Sequence, residues 1–247
     1  MSLKVITIDF WNTLFDSSNG MERNAYRRNS LFKEIEKYDV IVKDEEFADA
    51  LKAAWEYFNN IWINDMRTPT PFETAEFFWR QLKLPYNEKS ILEISESFGE
   101  AILVYPPKLV EGVKESLMKL YGKYKLGIVS DTGFSPGTAL RQLMELNEII
   151  EYFDAFSFSD ETGVSKPHPK AFQSVLEKFE CLPEESLHIG DIEQTDIEGA
   201  KSLGMKAIRF NGDTSYPQTP ERKEFTIADA ESDSWVDIVR LIEEFNN

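Results

Sequence analysis

The stretch Val5-Ile-Thr-Ile-Asp9-Phe-Trp-Asn-Thr-Leu14 decides the fold. Four β-branched, mostly apolar residues ending on a carboxylate have the length and composition of a buried strand. Three more runs share this form: Leu126-Gly-Ile-Val129 leads into Ser130-Asp131-Thr132, Leu187-His-Ile189 leads into Gly190-Asp191, and 207–210 completes the series. Helix-period stripes lie around them: Leu109, Val113, Leu117 and Leu120; Phe172, Val175, Leu176 and Phe179; Ile197, Ala200 and Leu203. Short strands alternating with amphipathic helices predict βαβ units, hence an α/β fold with a Rossmann-like, doubly wound parallel sheet. A last helix carries Trp235, Ile238, Val239 and Ile242 on one face.

The segment 17–105 reads differently. It holds long helical patterns such as Phe47, Leu51, Ala54, Trp55 and Phe58, shows no convincing strand, and exits through the breaker Tyr105-Pro106-Pro107. The predicted organisation is a core made of 1–16 and 106–247, with an all-helical domain inserted at 17–105. At 247 residues the chain is long enough for both. Hydrophobic residues at 42% and aromatics at 13% exclude a disordered chain.

Asp and Glu outnumber Lys and Arg 44 to 27, for a net charge of −17. Such a chain repels phosphate backbones and anionic lipid surfaces, so neither nucleic acid nor membrane is an expected partner. The opening apolar run reaches Asp9 too soon for a signal peptide or a span, and a cytoplasmic location is expected. Cys181, the single cysteine, reads as a packing residue. Nothing in these features sets the oligomeric state.

In a doubly wound sheet the strand exits converge at the carboxyl edge, where ligands bind. Asp9 and Asp191 would meet there and share a hard cation, for which magnesium is the economical choice because it takes carboxylate oxygens and keeps waters. Ser130 and Thr132 offer hydroxyl donors, and the turn amides after Asp9 offer an anion-binding nest. Lys166, read as opening a helix at Ser-Lys-Pro-His-Pro, would neutralise charge between carboxylate and substrate. The set suits transfer of an anionic group to a carboxylate.

This ordered set resembles the haloacid dehalogenase-like (HAD) hydrolase superfamily. Asp9-Phe-Trp-Asn-Thr-Leu14 resembles the first of its four motifs, Ser130 the second, Lys166 with Pro167 and Pro169 the third, and Gly190-Asp191 through Asp196 the fourth, followed by Glu198-Gly-Ala-Lys-Ser-Leu-Gly-Met205. The resemblance implies that the insertion is a cap that selects substrate. It also implies that Asp9 is a nucleophile forming an aspartyl-phosphate, assisted by Ser130 and Lys166. Asp9, Asp191 and the backbone carbonyl of Trp11 would hold Mg2+, and Asp196 would support the metal through its waters or orient Lys166. Trp11, Asn12, Thr13, Asp131 and Thr132 would surround the phosphate.

One departure stands out. In the family an Asp two residues after the nucleophile protonates the leaving group, and here that position is Trp11. Such acid/base help is worth about 10² to 10⁴ in rate, roughly 3 to 5 kcal/mol of barrier. The expectation is therefore a magnesium-dependent phosphatase acting on a small phosphate ester with atypical or weak activity. Two alternatives stay open. A 2-haloacid dehalogenase-type hydrolase carries an aromatic at this position and expels halide without a proton, but that branch does without magnesium and leaves Asp191 unexplained. A non-catalytic magnesium- and phosphate-binding protein is the other.

Other residues carry plainer expectations. Arg23 and Arg27, one turn apart, read as a solvated helix face, though they are placed to reach a substrate anion. His188 reads as buried and structural, and neither it nor His168 is a candidate base. The aromatics Trp55, Tyr57, Phe58, Trp62 and Phe77-Phe78-Trp79 read as packing within the helical insertion, with a pocket lining for an aromatic or apolar substrate as the alternative.

Overall fold

The computed structural model describes residues 2–38, 40–213 and 225–246. Six strands, β1 (Val5–Ile8), β2 (Lys125–Ser130), β3 (Ala155–Phe158), β4 (Ser186–Gly190), β5 (Lys206–Phe210) and β6 (Ala230–Ser232), form one parallel sheet in the order β3-β2-β1-β4-β5-β6. The pattern of short apolar runs anticipates four of these. β3 escapes it because Ala-Phe-Ser-Phe presents only two large apolar side chains, and β6 because Ala-Glu-Ser has no apolar run and exists only by pairing with β5.

The helices are α1 (Gly20–Ile35), α2 (Asp44–Asn64), α3 (Pro71–Gln81), α4 (Glu88–Val104), α5 (Val113–Leu120), α6 (Gly137–Leu146), the short α7 (Ser159–Thr162), α8 (Pro169–Lys178), α9 (Glu198–Ser202) and α10 (Trp235–Glu244). The first four fill 17–105, where no strand occurs among the described residues. α3 starts on Thr70, whose hydroxyl accepts from the Glu73 amide while the Glu73 carboxylate accepts from the Thr70 amide, a reciprocal cap satisfying two amides that a helix leaves orphaned. Leu31, Phe47, Phe78, Trp79, Ile91 and Phe98 give these four helices a hydrophobic core of their own. Phe78 and Trp79 are thus core residues as expected, and Tyr57 stacks on Phe77 at 4.2 Å.

Alternation along β1 sorts its side chains onto two faces of the sheet. Ile6 and Ile8 join a layer with α5, α6 and α10, while Val5 joins Val129 and the Phe172, Val175 and Leu176 face of α8. Burial on both faces is what a parallel sheet requires. The two linkers to the inserted helices run side by side: the Asp16 amide donates to the Lys108 carbonyl at 2.9 Å and the Val110 amide to the Leu14 carbonyl at 2.9 Å. Leu109 sits in this zipper, opposite Phe15, and not on the α5 stripe where periodicity alone put it. The Trp235 indole, fully buried, donates to the Thr13 carbonyl at 2.9 Å and so ties α10 to the loop after Asp9.

Candidate active site

Register brings the acids together. Thr7 pairs with His188 and Ile8 with Ile189, and the Asp9 amide donates to the Ile189 carbonyl at 2.9 Å, so Asp9 and Asp191 leave adjacent strands at the same sheet edge. On the other side Ile8 pairs with Ile128, which brings the loop after β2, with Asp131 and Thr132, to that edge as well. A cavity of about 390 Å³ opens above it, with Asp9, Trp11, Asn12, Asp131, Thr132, Lys166, Asp191 and Asp196 on its floor and walls. Thr13 and Ser130 lie behind this wall: Thr13 is wholly buried, and the Ser130 hydroxyl faces the Asp131 carbonyl at 3.4 Å.

Lys166 is the hub. It comes not from a helix start but from the loop ahead of α8, whose cap is His168 with its Nδ1 accepting from the Lys170 amide at 3.1 Å. Its ammonium, 3% exposed, donates to Asp9 Oδ1 and, at 2.6 Å, to Asp196 Oδ1. Its backbone amide donates to Asp131 Oδ1 at 2.9 Å. Burial alone would lower the lysine pKa, but Asp196, Asp9 and Asp131 outweigh it and hold the ammonium charged, above the ordinary lysine range. Burial pushes the Asp9 carboxyl well above the usual range; Lys166 opposes this, and the neighbouring Asp196 and Asp191 carboxylates add to it.

Asp196 is the most fully engaged group. Besides Lys166 it accepts from His188 Nε2 at 3.0 Å, the Ile192 amide at 3.1 Å and the Thr195 hydroxyl at 3.2 Å. Burial works against its charge, yet Lys166 and His188 together pull its pKa below the ordinary carboxylate value. Because a carboxylate only accepts, Nε2 of the His188 ring bears the proton, and Nδ1 then accepts from the Thr7 hydroxyl at 2.9 Å. Burial lowers the His188 pKa and keeps this ring neutral. His188 is buried as expected; its part in holding Asp196 was not legible, since a strand histidine gives no sign of which carboxylate it faces.

The backbone is shaped to fit. A turn of π-helix at Glu193–Ile197 carries Asp196 back over β4, and a Cβ at Gly190 would collide with the Asp196 carboxyl group. Asn12, at φ 56° in the left-handed region that asparagine tolerates, turns its amide to Asp191 Oδ2 at 3.3 Å.

The depressed Asp196 pKa carries a sign. A carboxyl held below its unfolded value of about 3.9 contributes stability that is fully present above that pH and lost as pH falls further, because the unfolded chain then binds the extra proton. Asp196→Asn is expected to flatten the loss of urea stability between about pH 4 and pH 2 relative to wild type. An unchanged acid limb would show that other carboxyls govern it.

The inserted helices supply the cavity's roof. The Trp62 indole donates to Asp131 Oδ2 at 2.8 Å, the Thr68 hydroxyl meets Ser159 Oγ at 2.5 Å, and the Ser165 amide donates to the Met66 carbonyl at 2.7 Å. Thr132 bonds the same Ser159 hydroxyl and Asp160 Oδ1, each at 2.9 Å. Trp55, Phe58 and Trp62 line the cavity, so this part of the aromatic stripe is a wall and not only packing. Arg23 and Arg27 also line it, against the expectation of a solvated face. Arg23 is 6% exposed, donates to the Ser18 and Tyr105 carbonyls at 2.7 and 3.0 Å, and stands 5.8 Å from the Trp11 ring. Arg27 donates to the Phe98 carbonyl at 3.3 Å and to Asn24 Oδ1 at 3.2 Å; burial first, then Arg23, pushes its pKa down to about 9, which leaves it charged at neutral pH. Helical periodicity cannot reveal that a core loop covers this face.

A glyceraldehyde 3-phosphate phosphatase from Pyrococcus furiosus is 31% identical over 84% of this chain and 80% of its own length. Among solved structures, a 2-haloacid dehalogenase from Pseudomonas syringae pv. Tomato matches 98% of this chain and 99% of its own with a TM-score of 0.73 at 19% identity. The HAD-hydrolase YfnB from Bacillus subtilis, bound to magnesium, matches 98% and 99% with a TM-score of 0.63 at 17% identity. The model of the haloacid dehalogenase-like hydrolase family matches residues 43–210, and with the sheet order and the carboxylate and lysine edge described above, the chain belongs to that family of hydrolases.

Proposed function

We propose that the protein is a magnesium-dependent phosphatase acting on a small phosphate ester through an aspartyl-phosphate on Asp9. The observation that carries this reading is the Asp9 carboxylate at the exit of the central strand, on the cavity floor, with Lys166 against one oxygen. The phosphatase relative, aligned over most of both chains, supports the choice of a phosphoryl substrate.

The donor chemistry fits magnesium. Asp9 and Asp191, at the exits of adjacent strands, would make up the shell with the Trp11 carbonyl and water, and magnesium keeps waters. The crowding of Asp9 by Asp191 and Asp196 is the repulsion that such a cation relieves. When bound, the ion supplies Lewis-acid stabilisation of phosphoryl oxygens.

The chain's own residues do the rest. An Asp9 oxygen forms the bond to phosphorus as the ester P–O bond breaks. Lys166, kept charged by its carboxylates, offsets negative charge on the phosphoryl oxygens, while Asp196 and His188 hold it in place. Asn12 and Thr132 line the space the phosphoryl group would occupy, the Thr132 hydroxyl being held by Ser159 and Asp160, Asp131 braces the Lys166 loop, and Ser130 and Thr13 lie behind the wall. The departing alcoholate takes its proton from water, since Trp11 has none to give. Water then cleaves the acyl phosphate, releasing inorganic phosphate and restoring the carboxylate.

Aryl phosphates, whose leaving groups need little protonation, are therefore expected to form the phosphoenzyme faster than sugar phosphates by about 10² or more. Rapid-quench labelling of Asp9 with both classes measures this. Equal rates would mean that another acid serves the leaving group. Release of halide from 2-chloropropionate without added metal would turn the assignment to the dehalogenase reading, which the aromatic wall at Trp11 favours and Asp191 does not.

A further inference from the structure

We propose that a second chamber, inside the cap helices, receives the apolar part of the leaving group, so that the substrates are phosphate monoesters of an aryl or bulky hydrocarbon alcohol. This rests on the phosphatase reading of Asp9. The chamber has a volume of about 290 Å³ and is walled chiefly by Leu31, Phe47, Ala54, Phe78 and Phe98. It adjoins the reaction cavity: Asn24, Arg27, Trp55 and Phe134 line both spaces.

Phe134 is the one wall residue from outside 17–105, and it stands three residues after Asp131 on the loop leaving β2. Its ring meets Trp55 and Phe98 edge to face, each at 5.4 Å between centroids, and the Arg27 guanidinium lies 4.7 Å from its centroid. The partition between the two spaces is thus made of side chains, with a cation and an aromatic ring next to each other. A molecule crossing it with its anionic end over Asp9 and Lys166 would place an apolar group among Leu31, Phe47 and Phe78.

Size and polarity point the same way. An apolar cavity offers water few partners, and one of about 150 Å³ admits benzene, so about twice that volume suits a two-ring aromatic or a chain of similar bulk. Leu51 and Trp55, which also line the chamber, remain 41% and 42% exposed, so its apolar surface is not closed by the protein itself. A small polar ester such as a triose phosphate would leave this surface unused.

The test separates the tail from the chemistry. Titration calorimetry compares 2-(2-naphthyl)ethylphosphonate with ethylphosphonate, both lacking a scissile ester, in the presence of magnesium. The naphthyl compound is expected to bind about tenfold or more tightly, and Ala54→Phe, which fills the chamber, to remove most of that difference. Equal affinities in the wild type, or no measurable binding of either, would overturn the assignment whether or not the variant folds. Tail-dependent binding without labelling of Asp9 by any aryl phosphate would instead refute the phosphatase reading and leave the chamber assignment standing.

Discussion

Lys166→Met is expected to lower stability at neutral pH by about 3 to 5 kcal/mol and to abolish labelling of Asp9. Its ammonium is buried and bonded to Asp9 and Asp196, with Asp131 on its own backbone amide. Methionine keeps the volume and removes the charge, so Asp9 and Asp196 lose the cation between them, while Asp131 keeps the backbone amide and the Trp62 indole. Breaking a buried pair by removing one partner is costly because the other partner stays desolvated and unpaired.

The loss carries a pH signature. Without the lysine the folded site prefers protonated carboxyls, so their folded pKa values rise above the unfolded ones. The folded variant then binds protons that its unfolded form does not, and the destabilisation shrinks as pH falls. Urea unfolding of both proteins at about pH 7.5 and pH 5 measures this. Equal midpoints at the higher pH would show that the carboxylates are already neutralised by something other than Lys166.

The second large effect is a gain. Trp11→Asp is expected to raise turnover of alkyl phosphates by about 10² to 10⁴, while aryl phosphates change much less, because only the poorer leaving group needs the proton. The ring being replaced packs edge to face on Phe10 at 5.2 Å, and Trp11 lines the cavity, so this position already borders the reaction space. Arg23, 5.8 Å from that ring, would hold the introduced carboxyl low and weaken it as an acid, which places the expected gain toward the lower end. Steady-state kinetics on a matched alkyl and aryl pair reads the result. A folded variant with no gain on the alkyl ester would argue that Trp11 stands where no leaving group comes.

Much of the site was legible because each acid ends a run that could only be a buried strand. Asp9 follows Val-Ile-Thr-Ile, Asp191 follows Leu-His-Ile-Gly, and parallel strands from βαβ units must deliver such residues to one edge. Lys166 and Asp196 were legible as members of an ordered set of motifs. β6 was not, since three polar or small residues become a strand only when β5 offers its free edge. Nor was the placing of Thr13 and Ser130 behind the wall, because a polar residue beside a strand exit looks the same in sequence whether it faces the cavity or the core.

The sequence by itself determined the local order: apolar strands ending in acids, helices of crossover length, an all-helical insertion after the first strand, and a tryptophan where a proton donor is expected. These follow from periodicity and residue chemistry, which act over a few neighbouring positions. Tertiary structure alone decided what those residues meet: His188 beneath Asp196, Trp62 above Asp131, and Arg27 and Phe134 between two cavities. Each of these contacts joins side chains from different elements, and its energy depends on desolvation and distance, neither of which exists until the sheet and the inserted helices have closed on each other.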